Sequence, residues 1–436
     1  MKKVIALIVI ALLTIVTLAG CESEMINESP DVSEQPSLNI RQQLIENSNM
    51  IDEQNVEALP SGERIVIITN LLIHGECEYL SAEALVNRFG HEQVIHKTWP
   101  DGIPNAETII NDTLRGISED PEVGAVILAE SMHSNWGNTY VADALWHLRD
   151  DIFVVFIPAI HSTIPDHVAA RTDLIIQTDM QRLGELFVMQ AISMGADTIA
   201  HYSSPLHRAV PAFALRRDAM KAAAQREGVS FVDLECPSSL GAMTLDILER
   251  FFAYMTQDLP RQVERLGVNT AFFGTDCVFQ PQIISQTIAT GAIFVSTCCP
   301  SPFHGYPEGI EIEYRIPTGQ YDEFGSPIIR RLELSELFKA MDEAVYAAGM
   351  AGRISSPAVS DRDMWITIGF MYAAQWLEGN IPQEHGVIDI EVLVRLASEF
   401  SSYLGVDAAV TLETLVHDGD IVSHHIMGVI DYHVFG

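Results

Sequence analysis

Apolar and polar positions along this chain follow two periods, and the two alternate in a regular order. Short continuous apolar runs, such as Ile65-Val66-Ile67-Ile68, give way to longer stretches where apolar residues return every three or four positions. The runs read as strands buried on both faces and the longer stretches as amphipathic helices. From Arg64 the pattern predicts strand 64–69, helix 81–89 ended by Gly90, strand 94–96, helix 106–117, strand 123–128, helix 139–148 and strand 152–157. From Asp173 it predicts strand 174–176, helix 181–194, strand 198–202, helix 210–226, strand 230–234, helix 245–266 and strand 270–273. Such alternation implies parallel strands joined by right-handed crossovers, and so an α/β fold of two Rossmann-like lobes.

After Thr297 the rhythm breaks. Residues 300–325 are rich in Pro, Gly and aromatics, which predicts a long loop that is functional or crosses between lobes. Helical periods return at 332–348, 364–377 and 390–404, so a helical C-terminal extension is expected over 346–436. The implied organisation is a tether at 21–62, a first lobe from 63–172 and about 300–345, and a second lobe at 173–299. The tether is rich in Glu, Ser, Asn, Gln and Pro and carries no helix-turn-helix pattern.

Within the second half, three segments carry a family likeness. They are Asp179…Gly184…Gly195-Ala196-Asp197-Thr198-Ile199-Ala200, then Arg217-Asp218-Ala219-Met220-Lys221, then Phe272-Phe273-Gly274-Thr275-Asp276. This pattern resembles the second lobe of type I periplasmic binding proteins, and the likeness runs over roughly residues 64–345. The whole chain, tail included, also resembles a functionally uncharacterised family of Gram-positive lipoproteins with that fold. The resemblance implies two lobes closing on a small polar ligand, with a hinge strand near residues 300–325. It further implies that Asp276 accepts hydrogen bonds from ligand hydroxyls and that an arginine at Arg217 reaches the ligand. Met220 stands where the family has a glycine, and Arg216 is an adjacent candidate.

In open parallel sheets, ligands sit beyond the carboxyl ends of the strands, so polar residues just after strands are the informative ones. They are Asn70, His74, Ser131, His133, Asn135 and His161 in the first lobe, where Trp136 joins the Ser131–Asn135 cluster, and Asp179, Ser203, Ser204, His207, Thr275 and Asp276 in the second. A tryptophan stacks on a sugar face or a base, while Ser, Asn and Asp supply directed hydrogen bonds. Each has a structural alternative: Asp276 as a helix cap, Asn135 as a helix start, Arg217 as a surface ion pair.

Composition narrows the partners. A formal net charge of −34 over 436 residues argues against nucleic acid and against an anionic membrane surface. Lys2 and Lys3, the apolar run Val4–Leu18 and Leu18-Ala19-Gly20-Cys21 have the pattern expected of a signal peptide over 1–20. Leu-Ala-Gly-Cys resembles the bacterial lipoprotein signal, which implies lipidation of Cys21. The other cysteines, Cys77, Cys236, Cys277, Cys298 and Cys299, show no metal-type spacing and read as buried free thiols. Histidines 161, 201, 207 and 304 lack HxH or HExxH spacing, so no metal and no cofactor are expected. P-loop, GxSxG and dinucleotide-binding patterns are missing too, and no enzyme activity is expected.

The resemblance, with the signal peptide, implies a solute-binding protein expected to be lipid-anchored on the outer face of the cytoplasmic membrane. Such a protein is expected to capture a small polar ligand, sugar or nucleoside-like, in an interlobe cleft. The resemblance implies an ABC permease or a membrane sensor as partner. The alternatives are a sensing or signalling lipoprotein without transport, a cleft enzyme, and a structural surface protein.

Overall fold

The computed structural model describes residues 57–436 apart from 60, 73–74, 100–105, 130–144, 146–148, 161, 163, 165, 238–244, 322–326 and 418. Strands β1 (Arg64–Thr69), β2 (Val94–Thr98), β3 (Val123–Ala129), β4 (Phe153–Ile157) and β5 (Leu174–Thr178) lie parallel in the order β2-β1-β3-β4-β5. Every residue of β3 and β4 is buried. That is why these strands read as unbroken apolar runs: alternate side chains enter two separate cores. Ile65, Ile67, Ala125, Ile127 and Val155 pack with Leu85, Val86 and Phe89 of helix Glu76–Phe89 on one face. Val66, Ile68, Val126, Leu128 and Val154 pack with Ile110, Leu114 and Ile117 of helix Ala106–Glu119 on the other.

Strands β6 (Thr198–Ser203), β7 (Ser230–Glu235), β8 (Thr270–Gly274) and β9 (Ile293–Phe294) make a second parallel sheet, ordered β7-β6-β8-β9. Helices Met180–Ser193 and Pro211–Glu227 contribute Phe187, Val188, Met220 and Ala223 to the core on one face. Helices Leu245–Leu266 and Gln280–Thr290 contribute Met255, Leu259, Ile283 and Ile284 on the other. At Gly184 the first two helices touch: a Cβ there would lie 2.5 Å from the Arg216 carbonyl oxygen.

Three expectations need correction. The second half was to open with strand 174–176, but β5 belongs to the first sheet, where Leu174 pairs with Val155 and Ile175 with Phe156. A doubly buried run carries no mark of which sheet it joins. The predicted 300–325 loop holds helix Tyr306–Ile310 and strand β10 (Arg315–Tyr321), which pairs antiparallel with β11 (Pro327–Arg331) just beyond it.

The third correction is the extension. After β12 (Ser355–Pro357) and helices Asp361–Leu377 and Ile390–Tyr403, it continues as β13 (Val410–His417), β14 (Asp420–Ile430) and β15 (Tyr432–Val434). Strand β14 adds to β5 in parallel and β13 pairs antiparallel with β14, completing a seven-stranded sheet. The hairpin covers an edge that β5 would otherwise expose. Alternation over Val410–Val416 and the Asp418-Gly419 pair were its local signals. Helix Asp361–Leu377 is buried almost throughout, as its nearly all-round apolar sequence requires.

Candidate functional site at the strand ends

The second sheet places its polar rim where β6 and β8 end side by side, next to the reversal of strand order. Thr275 Oγ1 lies 3.0 Å from Ser203 Oγ and 3.1 Å from His207 Nδ1. Ser204 accepts from the His207 backbone N–H at 3.2 Å and so fixes the turn that carries the imidazole. All four residues are buried. Asp276 is also buried, and its carboxylate accepts from the Val278 N–H at 3.1 Å, capping the turn Cys277–Phe279. Burial holds the His207 imidazole below its ordinary pKa, against the pull of Asp276. The rim thus brings together Ser203, His207, Thr275 and Asp276 as the sequence pattern implied.

Arg217 is placed elsewhere. Its Nε donates to Asp233 at 2.7 Å and its Nη1 to Asp218 at 2.7 Å, on the side of the edge strand β7. Its neighbour Arg216 turns inward, 1% exposed, with its guanidinium 4.6 Å from the centre of the Phe273 ring. Arg216 Nη1 donates to the Cys298 carbonyl at 2.6 Å, while Nε and Nη2 find no partner among the described residues. Burial lowers its pKa.

Beside Arg216 stand three thiols. Cys277 follows β8, and Cys298 and Cys299 follow β9, the adjacent strand. Cys277 Sγ lies 3.3 Å from Cys298 Sγ and 3.7 Å from Cys299 Sγ, the latter two are 3.9 Å apart, and His304 Nε2 is 3.8 Å from Cys298 Sγ. All are free thiols. Hydrogen bonds from Cys277 and then Cys298 hold Cys299 well below the usual thiol range, with His304 and Arg216 adding to the effect. Cys298 is pushed well up, first by Cys277 and Cys299 and then by burial. Sequence spacing missed this group because its members meet only through strand adjacency. The vicinal Cys298-Cys299 pair just past a strand was its one local trace.

The first sheet answers with the N-terminus of helix Asp361–Leu377. Asp361 Oδ2 accepts from Thr178 Oγ1 at 2.6 Å, at the carboxyl end of β5, and Thr178 Oγ1 accepts in turn from Trp365 Nε1 at 3.0 Å. The Asp361 backbone N–H donates to the Pro300 carbonyl at 3.0 Å, directly after the thiols. Arg362 donates to the Pro158 carbonyl at 2.6 Å and lies 3.7 Å from Glu78. Asp363 accepts from Ser81 at 2.7 Å and from Arg331 at 2.9 Å. Burial raises Asp361, and it raises Glu78 to about 7 despite Arg362. The rim reading did not reach Asp361, Arg362 and Asp363, which follow a short strand late in the chain; the Ser360…Asp363 capping pattern marks where they sit.

The expected rim residues His74, Ser131, His133, Asn135, Trp136 and His161 lie outside the described residues, as does Cys21. Among the described residues no helix is long and apolar enough to cross a membrane. A cavity of about 100 Å³ between Asp173, Arg149 and His385 opens at the amino ends of β4 and β5, away from this chemistry.

The fold is α/β with two mostly parallel sheets. A solved structure described as "Putative transcriptional regulator from Clostridium difficile 630" shares it with a TM-score of 0.69 at 15% identity, over 86% of this chain and 99% of that one. A "periplasmic ribose ABC transporter from Conexibacter woesei DSM 14684" aligns with a TM-score of 0.47 at 14% identity, over 81% of this chain and 100% of that one. Residues 64–355 match the family described as "Protein of unknown function (DUF3798)", and the chain belongs to that family.

Two relatives from Treponema pallidum (strain Nichols), each described as "Uncharacterized protein", are 26% and 25% identical over 148 and 142 residues. These alignments cover 34% and 33% of this chain and 65% and 62% of the relatives, so the chain spans less than two thirds of their length.

Proposed function

We infer that this chain is an exported, lipid-anchored binding protein that captures a small polar ligand, sugar or nucleoside-like, between its two sheets for an ABC-type importer. The observation that carries the reading is the double contact of Asp361. Its side chain takes the Thr178 hydroxyl at the end of β5, and its N–H takes the Pro300 carbonyl just past β9. Polar groups from both sheets therefore converge at carboxyl strand ends, where such folds bind ligands. Lys2, Lys3 and the Leu-Ala-Gly-Cys21 pattern support export and anchoring on the outer face of the membrane. Ligand binding would favour the state in which both rims contact it, shifting the population between open and closed forms.

The test is mass spectrometry of small molecules released on denaturation of the purified protein, followed by thermal shifts with sugars and nucleosides. A ligand at a hundred times its dissociation constant should add about 2.7 kcal/mol of stability. Asp276→Asn keeps the cap acceptor, removes the charge and should reduce that shift. No released molecule and no shift across these classes would remove solute capture as the function.

A further inference from the structure

We propose that Cys277, Cys298, Cys299 and His304 form a tetrahedral site for a thiophilic divalent metal ion of the zinc class. All four residues belong to turns following β8 and β9, so the site exists whether or not the protein also captures a solute.

The distances carry the argument. In a tetrahedral site, ligand atoms stand about 1.6 bond lengths apart, or ~3.8 Å for zinc–sulfur bonds of ~2.3 Å. The three sulfur–sulfur separations are 3.3, 3.7 and 3.9 Å, and Cys298 Sγ to His304 Nε2 is 3.8 Å. The ligand atoms of Cys277, Cys298 and His304 all lie within 4.8 Å of one another. Cys299 stands outside that trio, with its sulfur 3.7 and 3.9 Å from those of Cys277 and Cys298, and supplies the fourth corner once its side chain turns toward His304. Soft thiolates with one imidazole suit zinc over oxygen-loving cations.

Arg216 is the second, independent observation. Its buried guanidinium spends Nη1 on the Cys298 carbonyl, and Nε and Nη2 find no partner among the described residues. An uncompensated buried cation is costly. Three thiolates, one imidazole and a divalent ion carry a net charge of −1, which this arginine offsets. The site is reachable, because Cys277, Cys299 and His304 are only partly buried.

The experiment titrates the reduced full-length protein with Co(II), then displaces it with Zn(II). The expected result is one ion per chain, the visible ligand-field bands of four-coordinate cobalt, and thiolate charge transfer in the near ultraviolet. The Cys277→Ser, Cys298→Ser double variant should lose the charge transfer while its circular dichroism matches the parent. His304→Ala should keep charge transfer but change the ligand-field bands. Cys77→Ser and Cys236→Ser, outside the cluster, should behave as the parent. Failure to bind Co(II) when every thiol is shown to be reduced would overturn the proposal, as would charge transfer that persists in the double variant. Because the readout is metal spectroscopy, its failure leaves the solute reading separately testable.

Discussion

Glu78→Gln tests whether burial governs the charges around the N-terminus of helix Asp361–Leu377. Glu78 is 7% exposed on helix Glu76–Phe89, and its nearest cation, Arg362, is 3.7 Å away, too far for a full hydrogen-bonded pair. Burial therefore outweighs Arg362 and lifts the carboxyl from 4.5 to about 7. Between these values the folded protein holds a proton that the unfolded chain has lost, so stability falls as pH rises. At 1.36 kcal/mol per unit over the ~2.5 units between 4.5 and about 7, the loss is about 3 kcal/mol. It is complete above pH 7 and absent below pH 4.5.

The glutamine variant cannot ionise and lacks this slope. Urea denaturation of both proteins in reducing buffer, at intervals from pH 4.5 to 8, gives the difference directly. The variant should gain about 3 kcal/mol on the parent across that range, whatever its offset at acid pH. A flat difference would show that Glu78 is solvated or fully paired, and burial would not be what sets its charge.

Two further outcomes follow from the second sheet. Gly184→Ala puts a Cβ 2.5 Å from the Arg216 carbonyl oxygen, and backbone cannot yield as a flexible side chain does. Thermal and urea melts should show a loss of about 1–3 kcal/mol. His201 is stacked on Phe273, and burial, aided by Arg216, holds its pKa down to about 3. Its contribution is present above about pH 6.5 and is lost as pH falls toward 3. His201→Phe should flatten the acid side of the stability profile, and an unchanged acid limb in urea titrations would refute the assignment.

The local elements and their order are legible in the amino-acid sequence. Doubly buried runs can only be central strands, and 3.6-residue periods between them can only return the chain across a sheet face. From that order came the rim, and Ser203, His207, Thr275 and Asp276 do meet there. Which sheet β5 joins, and the closing of its edge by β14 from the tail, emerge on folding, since backbone pairing is not written in any one strand. Folding also chose between neighbours: Arg216 and Arg217 sit about 100° apart around one helix, so one faces the core and the other solvent. The thiol cluster is the clearest case. Cys277 and Cys298 are 21 residues apart in sequence and 3.3 Å apart in space, because β8 and β9 are neighbours and both chains turn at the same end.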